Sequence, residues 1–433
     1  MKRFLRFVVL SIALITFLAA CSSDGDEGGV PTVISVWSFV EELPLGINDF
    51  FNRDHPDEIE MELTLFIRSE LEAVLDTALA AGNGPDLWSI SGAVVNRYVN
   101  SDILPDMSHL LDQAHELGII QYVIDLGTDS DGILRTLAFQ TTPGGVWYRR
   151  DLAEFYLGFG APEDMQMMLS SLDGMVATAL ALRDASYGTV YYVACVADLV
   201  DIFLARRELP FVVEDAIVID PAIVEFLQYA KFFVNEGLVA NFNPGEPNWF
   251  AGISDSNEDI RIFSYKGPPR MLPFVLQPHA ENPETGNNTY GNWALIEGPG
   301  FFCLNGIFVG VNAASVELDT AMSVFEYLTL NPDFIRDFSY VTGDFPASTV
   351  IAGELVAGMS SSFLGEQNHF ELFNAIVGNV RDLRTEYQND QFIIDALIVQ
   401  AKLHASGSKD LETTLNDFQT AVFERYPHLL RMD

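Results

Sequence analysis

Polar and aromatic side chains follow the first three predicted strands at the points where these strands end. Strand-like stretches at 33–38, 60–65 and 86–89 alternate with helical patterns at 43–54 and 69–81, which predicts a parallel sheet with helices on its faces. Ligands bind such sheets beyond the carboxyl ends of the strands. The candidate contacts there are Trp37, Ser38, Glu41, Arg68, Ser69, Ser89 and Ser91. Aromatic faces combined with hydroxyl and carboxylate groups suit a sugar-like molecule.

Several of these residues also have a structural explanation. Trp37 is compatible with the core, and Trp88 on the third strand suits the core as well as it suits a cleft. Ser69 and Glu72 form the Ser-x-x-Glu pattern of a capping box, in which the serine hydroxyl caps the second helix. The sequence leaves both interpretations open.

Two further candidates lie in the second half of the chain. Trp249 lies in the polar stretch 241–257, which we predict to be a loop, and an exposed tryptophan favours a ligand-binding surface. Arg270 follows the turn at Gly267-Pro268-Pro269, at the end of a strand predicted over 260–265. Both positions place side chains of the second half near a possible site.

The net charge excludes one class of partner. The chain has 61 acidic and 23 basic residues among 433, for a net charge of −38. The acidic residues are scattered, which is typical of a solvated surface rather than an acidic tail. Such a surface repels nucleic acid, and we expect no nucleic-acid partner. The length predicts two or three domains, and a hydrophobic content of 49% is ample for a large core.

The first 29 residues have the pattern of a secretory signal. Lys2, Arg3 and Arg6 precede an apolar run at 7–20, which is shorter than the roughly 20 residues that a spanning helix needs. Leu18-Ala19-Ala20-Cys21 resembles the lipobox of bacterial lipoproteins. The resemblance implies a signal peptide at 1–20, acylation of Cys21 and a flexible tether at 21–31. A plain signal peptide and a retained membrane helix are the alternatives.

Three segments taken together resemble the extracellular solute-binding proteins of carbohydrate ABC transporters, the maltose-binding-protein-like group. The first is Gly84-Pro85-Asp86 before the third strand, and the second is the stretch 144–152, Gly-Gly-Val-Trp-Tyr-Arg-Arg-Asp-Leu. The third is 307–315 followed by a helix and by 343–347, Gly-Asp-Phe-Pro-Ala. Their order and spacing extend the resemblance over residues 32–430.

The resemblance implies an α/β, two-lobed periplasmic-binding-protein fold of type II. Each lobe is expected to have a mainly parallel sheet flanked by helices. Lobe one is predicted at 32–141 and 306–343, lobe two at 145–303 and 346–433, with a hinge between them. Thr142, at the first crossover, and Phe301, Phe302 and Asn305, at the return crossover, join the candidate contacts on the same basis.

The resemblance also implies a function. The chain would be the substrate-binding lipoprotein of an ABC importer, a monomer anchored outside the cytoplasmic membrane by its lipid. It would capture a mono- or oligosaccharide in the cleft and deliver it to a separate permease, without a cofactor or a metal.

Other classes stay open. The acidic surface suits a cationic solute, so a receptor for a polyamine, a peptide or a metal complex is the first alternative. A surface glycoside hydrolase is the second, because carboxylates are abundant and only their geometry identifies a catalytic pair. The chain has no HExxH motif and no Gly-x-Ser-x-Gly elbow. Whether Cys195 and Cys303 pair is not decided by two cysteines alone.

Overall fold

A computed structural model describes residues 30–255, 260–300, 302–303, 306–377 and 391–431. The strands are β1 (Thr32–Ser38), β2 (Ile59–Leu65), β3 (Leu87–Ser91), β4 (Ala138–Thr141), β5 (Pro143–Arg149), β6 (Val190–Val193), β7 (Val212–Val213), β8 (Ala216–Ile217), β9 (Arg261–Gly267), β10 (Trp293–Ile296), β11 (Phe302–Cys303), β12 (Ile307–Val311), β13 (Phe345–Pro346), β14 (Ser360–Ser361), β15 (Gln367–Asn368) and β16 (Leu430–Arg431).

The helices connect these strands and cover the sheets. They are α1 (Glu42–Leu45), α2 (Asn52–Asp54), α3 (Arg68–Ala80), α4 (Val95–Val99), α5 (Leu111–Glu116), α6 (Gln121–Leu126), α7 (Arg150–Leu157), α8 (Pro162–Met168), α9 (Leu172–Ala185), α10 (Val200–Leu204), α11 (Pro221–Asn235), α12 (Pro247–Ala251), α13 (Gln277–His279), α14 (Leu318–Leu330), α15 (Pro332–Thr342), α16 (Thr349–Val356), α17 (His369–Val377), α18 (Gln391–Ala405) and α19 (Leu411–Arg425). Shorter helical turns lie at Gly46–Phe51, Ser108–Leu110, Val196–Leu199, Leu272–Leu276 and Ser362–Leu364.

The first sheet has the order β13-β4-β12-β3-β1-β2. β1 is parallel to β2 and β3, while β12 is antiparallel to both β3 and β4. β4 therefore runs in the direction of β1, and only β12 and β13 oppose it among the described strands. Both opposing strands come from late in the chain, after it has built the second sheet. The predicted mainly parallel sheet of lobe one is confirmed.

The second sheet has the order β10-β5-β9-β6, with β11 also paired to β5. β9 is parallel to β6, and β5 is antiparallel to β9, β10 and β11. β5 is therefore the only one of these five described strands that runs against the rest. It is the strand by which the chain enters this sheet. The predicted two-lobed α/β fold is confirmed, with one mainly parallel sheet in each lobe.

The cores follow the hydrophobic periodicity of the elements. In lobe one, Ile34 and Val36 of β1 are fully buried against the rest of the first sheet and its helices. In lobe two, α11 begins at Pro221, and the Asp220 carboxylate accepts a 2.7 Å hydrogen bond from the N–H of Ala222. The buried face of α11 packs on α18 and α10.

In the stretch 144–152, several side chains anchor β5 to the surrounding structure. The Trp147 indole donates to the Gly267 carbonyl at 3.0 Å, and the Tyr148 hydroxyl donates to a carbonyl at 2.6 Å. The Arg149 side chain is 2% exposed and pairs with Asp151 at 2.7 Å and Asp255 at 2.8 Å. A buried guanidinium needs such carboxylate partners. The motif therefore marks a packed crossover strand.

Two local predictions are wrong. α3 begins at Arg68 with Ile67 at its N-cap, so Ser69 is the second residue of the helix and does not occupy the N-cap position. The stretch 241–257 is not entirely a loop, because it contains α12. Within the described part of the chain, no single helix is long and hydrophobic enough to cross a membrane. Only α8 and α9 taken together meet both criteria, and the two helices are bent by 111° relative to each other.

The segment after β13 contacts both lobes. The Ser348 hydroxyl donates to the Leu117 carbonyl at 2.6 Å, which ties the start of α16 to lobe one. The Gln367 side chain then bonds the backbone of Leu295 on β10, which belongs to lobe two. These contacts tie the N-cap of α16 to lobe one and β15 to lobe two, and the predicted boundary at 343–346 stays a prediction.

Candidate functional site

The chain crosses between the two sheets at a point where its segments touch. β4 ends at Thr141 and β5 begins at Pro143, so that Thr142 is the crossing residue. The Gly306 N–H, just before β12, donates to the Thr142 hydroxyl at 2.9 Å. Gly306 has φ +84°, and a Cβ there would lie 2.3 Å from the Gln140 carbonyl oxygen. Glycine therefore lets the outgoing and returning segments lie side by side.

Two predicted contacts, Ser38 at the end of β1 and Ser89 within β3, are brought together. The Ser38 hydroxyl lies 3.1 Å from the Ser89 hydroxyl and donates to the Val40 carbonyl at 2.6 Å. The Ser89 hydroxyl accepts from the Phe39 N–H at 3.0 Å. Both serines are buried. Their hydroxyl groups fix the loop after β1, and this role is structural.

The other candidates of lobe one lie on the same edge of the sheet. Trp37 is half-buried, with its ring centroid 5.2 Å from that of Phe66. Glu41 is exposed, and Arg68 is half-buried with its Nε 3.9 Å from Glu72. The Ser91 hydroxyl accepts from the Ala93 N–H at 3.3 Å. Glu41 is thus the most exposed of the described contacts predicted on this edge, and Trp37 and Arg68 are both partly accessible.

An ion pair connects the two lobes. Arg270, in the turn after β9, places its Nη2 3.2 Å from the Oε1 atom of Glu42, at the start of α1. Glu42 is 2% exposed, while the Arg270 side chain is 37% exposed. A Cβ on Gly343 would also lie 3.7 Å from the ring of Pro273, in the same lobe-two turn. Arg270 was predicted to lie near the possible site. In the structure its guanidinium reaches from lobe two to Glu42 of lobe one.

A second buried carboxyl group lies beside this pair. Asp344 is 1% exposed, and its burial raises its pKa to about 7. The negative charge of Glu42 contributes to this rise, and the positive charge of Arg270 opposes it. Neither Asp344 nor Glu42 accepts an aligned hydrogen bond from the described residues. The cleft thus has two acidic groups and one guanidinium on facing surfaces.

Further unpartnered polar atoms lie on β4. Both amide atoms of Gln140 and the Thr141 hydroxyl are buried without a hydrogen-bond partner among the described residues. Gln140 pairs with Pro346 and Thr141 with Phe345, so both stand next to the strand that follows Asp344. Buried polar groups are normally hydrogen-bonded. Their concentration at the crossing favours a polar ligand or water there.

Lobe two buries a separate group of charges beneath β9. Lys266 is 8% exposed, and burial lowers its pKa to about 8, against the opposing effect of Asp198 and Asp201. Burial raises the pKa of Asp198 to about 6, and its carboxylate accepts from the Cys195 N–H at 2.9 Å. The Lys266 Nζ lies 5.5 Å from the Tyr192 ring centroid. Cys195 is a buried free cysteine.

The prediction that Trp249 is exposed is wrong. Trp249 is 6% exposed and packs edge-on against Phe250 and Tyr265, with ring centroids 5.1 Å away from each. Trp249 lies on the short helix α12, which turns its side chain inward. The polar residues near Trp249 in the sequence did not indicate its burial. Neighbouring residues of a helix can lie on opposite sides, one buried and one exposed.

Some candidates lie outside the described residues. These are Cys21, Phe301 and Asn305; Phe302 is described only as part of β11, where it pairs with Gly144. Glu42, the buried acid that pairs with Arg270, was not among the predicted contacts. Glu42 opens a helix, where an acidic residue is normally a surface charge. Asp344 lies in the 343–347 motif, and that motif was the only sequence signal for its place beside the cleft.

Comparison with known proteins gives similarity at the level of structure. No family model matches the chain, and no curated protein matches it. The fold is similar to a crystal structure described as an extracellular solute-binding protein family 1, with TM-score 0.73 and 16% identity over 90% of this chain and 100% of that one.

Two similar structures contain sugars. One is the ABC transporter associated binding protein from B. animalis subsp. lactis Bl-04 in complex with beta-1,6-galactobiose, with TM-score 0.70 and 18% identity over 93% of this chain and 100% of that one. The other is the galacto-N-biose-/lacto-N-biose I-binding protein from Bifidobacterium longum in complex with lacto-N-biose, with TM-score 0.70 and 17% identity over 92% and 97%. Similarity at these identities establishes the fold.

Proposed function

We propose that this protein is the substrate-binding lipoprotein of an ABC importer. It captures a mono- or oligosaccharide in the cleft between its lobes and delivers it to a membrane permease. The observation that carries the proposal is the interlobe geometry. Two sheets are joined by crossing segments that touch at Thr142 and Gly306, and polar groups of both lobes meet beside them at Glu42 and Arg270.

The proposed mechanism is capture by closure. Short crossing segments between two rigid sheets favour a hinge motion, in which the lobes approach around a ligand. A ligand that contacts both lobes binds the closed state more tightly than the open one, and so shifts the equilibrium towards closure. The closed form is the one that the permease would recognise. No bond is made or broken in this cycle, so we propose no enzymatic activity.

A carbohydrate is the proposed solute for two reasons. Similar structures hold galactobiose and lacto-N-biose. The exposed Glu41, the half-buried Trp37 and the unpartnered groups of Gln140 and Thr141 offer aromatic surface and hydrogen-bonding groups together. Hydroxyl groups both donate and accept, so a sugar can satisfy such a mixed set.

Lipidation of Cys21 is proposed to hold the receptor at the outer side of the membrane. The residues from Ser22 to Gly29 contain no apolar side chain, and this composition suits a tether. One acyl chain anchors weakly, whereas several anchor stably. The receptor would then search for solute close to its permease while remaining a monomer.

A thermal-shift screen tests the proposal. The purified chain is melted with mono- and oligosaccharides, polyols, diamines and peptides at increasing concentrations. A solute at 100 times its Kd stabilises the native state by about 2.7 kcal/mol, which a melt resolves. Small-angle X-ray scattering with the same solute is expected to show a smaller radius of gyration. Absence of stabilisation and compaction with every solute class would contradict the receptor function.

A further inference from the structure

Two carboxyl groups on the lobe-one side of the cleft share a single described cation, Arg270. Glu42 and Asp344 are 2% and 1% exposed, and burial, together with the negative charge of Glu42, raises the pKa of Asp344. Their four oxygen atoms accept no aligned hydrogen bond from the described residues. Burying charged acceptors without donors is strongly unfavourable. These oxygens therefore indicate donors that the described part of the chain does not provide.

The charge balance identifies the kind of donor. Arg270 brings one positive charge to Glu42, at 3.2 Å, and this leaves Asp344 without a counter-charge of its own. The Arg270 side chain is partly exposed, and its guanidinium carbon lies 5.9 Å from the Phe274 ring centroid. At a pH above the pKa of Asp344, a neutral hydroxyl group would satisfy the oxygens but would leave a second negative charge buried. A cation that carries N–H donors supplies both the hydrogen-bond donors and the positive charge.

We propose that Glu42 and Asp344 form a subsite for a primary ammonium group of the solute. This inference rests on the proposed function and narrows the substrate class. An ammonium group has one positive charge and three N–H donors, so it can bridge two carboxylates. Two kinds of solute present this group with hydrogen-bonding chemistry that suits the cleft: an amino sugar and an alkyl diamine. The subsite would discriminate an amine from its N-acetylated or hydroxyl analogue.

Binding of an ammonium group at this subsite would change the protonation of Asp344. Asp344 faces Glu42 of α1 and Arg270 of the turn after β9, and without a bound cation its pKa is about 7. An ammonium group beside it favours the ionised form and lowers that pKa. Binding at pH 6 therefore releases a proton from Asp344, and affinity falls as the pH decreases below 7. A site that recognises only hydroxyl groups would not release a proton in this way.

The experiment is isothermal titration calorimetry on the purified chain with matched solutes. Glucosamine and its β-linked dimer are compared with glucose and with the N-acetylated dimer, and 1,4-diaminobutane represents the diamines. Asp344→Asn and Glu42→Gln remove one charge each and are expected to weaken amine binding at least about tenfold, because hydrogen bonds to charged groups are strong. Asp49→Asn removes an exposed carboxylate of the adjacent helical turn and is the matched control.

Each outcome decides the question. Amine binding that depends on Asp344 and Glu42, and not on Asp49, supports the subsite, and the sugar and diamine arms show which solute carries the amine. Binding of glucose or the N-acetylated dimer with unchanged affinity in Asp344→Asn overturns the amine subsite but leaves the receptor function intact. Absence of binding by all amines also overturns it, and thermal shifts with other solutes test the receptor function separately. Circular dichroism of each variant establishes that it is folded.

Discussion

The Gly306 N–H donates a 2.9 Å hydrogen bond to the hydroxyl group of Thr142, and this bond joins the outgoing crossing segment to the returning one. Thr142 is only 6% exposed. The residue that the family resemblance marks as a ligand contact thus has its hydroxyl engaged by the backbone. The hinge and the candidate site share this residue.

Replacement of Thr142 separates the two roles. Thr142→Val leaves the Gly306 N–H without its acceptor, and we expect the free energy of unfolding to fall by about 1–3 kcal/mol, the usual cost of a buried unsatisfied donor. Urea denaturation measures this loss. Thr142→Ser keeps the hydroxyl and is expected to lose less. A larger loss in Thr142→Ser than in Thr142→Val would show that the methyl group, and not the hydrogen bond, matters.

Gly310 on β12 packs directly against Trp88. A Cβ at this position would lie 2.2 Å from the Trp88 Cε2 atom, and Trp88 is fully buried. Gly310→Ala therefore forces the ring or the strand to move, and we expect a loss of about 1–3 kcal/mol in stability with a changed tryptophan fluorescence spectrum.

The control for this variant is Gly353→Ala in α16. Gly353 is exposed, and a Cβ there meets no atom within 4 Å. Alanine replaces glycine in a helix with a gain of about 0.5–1 kcal/mol. If Gly310→Ala were as stable as Gly353→Ala, the described packing on Trp88 would be wrong.

The Arg270–Glu42 pair predicts coupling between the lobes. Because Arg270 is partly exposed, we expect a coupling energy of at most about 1 kcal/mol in a double-mutant cycle of Arg270→Gln and Glu42→Gln, and it should decrease with added salt. The radius of gyration of unliganded Arg270→Gln is expected to exceed that of the wild type. Additive effects of the two substitutions at low salt would contradict an interlobe pair.

Stability should depend on pH through Asp344. Its pKa is about 7 in the folded chain and about 4 in the unfolded chain, so the folded state binds the extra proton between these values. The free energy of unfolding therefore falls as the pH rises from about 4 to 7 and is level above that range for this group. The effect is on the order of a few kcal/mol, and pH-dependent urea unfolding measures it.

Asp344→Asn should reduce this slope. Asp198, with a pKa raised to about 6, contributes in the same direction, so part of the slope is expected to persist in the variant. Lys266, with a pKa lowered to about 8, has the opposite effect, and stability should rise between about pH 8 and 10. An unchanged slope in Asp344→Asn would show that Asp344 is ionised in the folded protein.

Lipidation is tested on the full chain. Cys21→Ser removes the proposed acylation site, and we expect the protein to move from the membrane fraction to the soluble fraction after cell fractionation. Cys195→Ser keeps Cys21 and is the matched control, since Cys195 is buried. Retention of Cys21→Ser in the membrane fraction would exclude the lipid as the anchor.

The sequence by itself determined the fold class and much of its organisation. Alternation of strand and helix patterns from β1 to β3 required a parallel sheet, because each amphipathic helix must bury its apolar side against a strand layer. The motifs at 144–152 and 307–315 fall on β5 and β12, where the chain enters the second sheet and returns to the first. These signals are local in sequence, and hydrophobic periodicity carries them.

The tertiary structure decided which side chains meet. Ser38 ends β1 and Ser89 lies in the middle of the neighbouring β3, yet only their approach to 3.1 Å shows that they bond to each other. Trp249 is carried inward by a helix too short to be recognised from its pattern. The Arg270–Glu42 pair joins residues 228 positions apart, and no local pattern predicts such a distance in sequence. Burial at the junction of two lobes is a property of the assembled chain. The buried charges of the cleft could therefore be identified only in the tertiary structure.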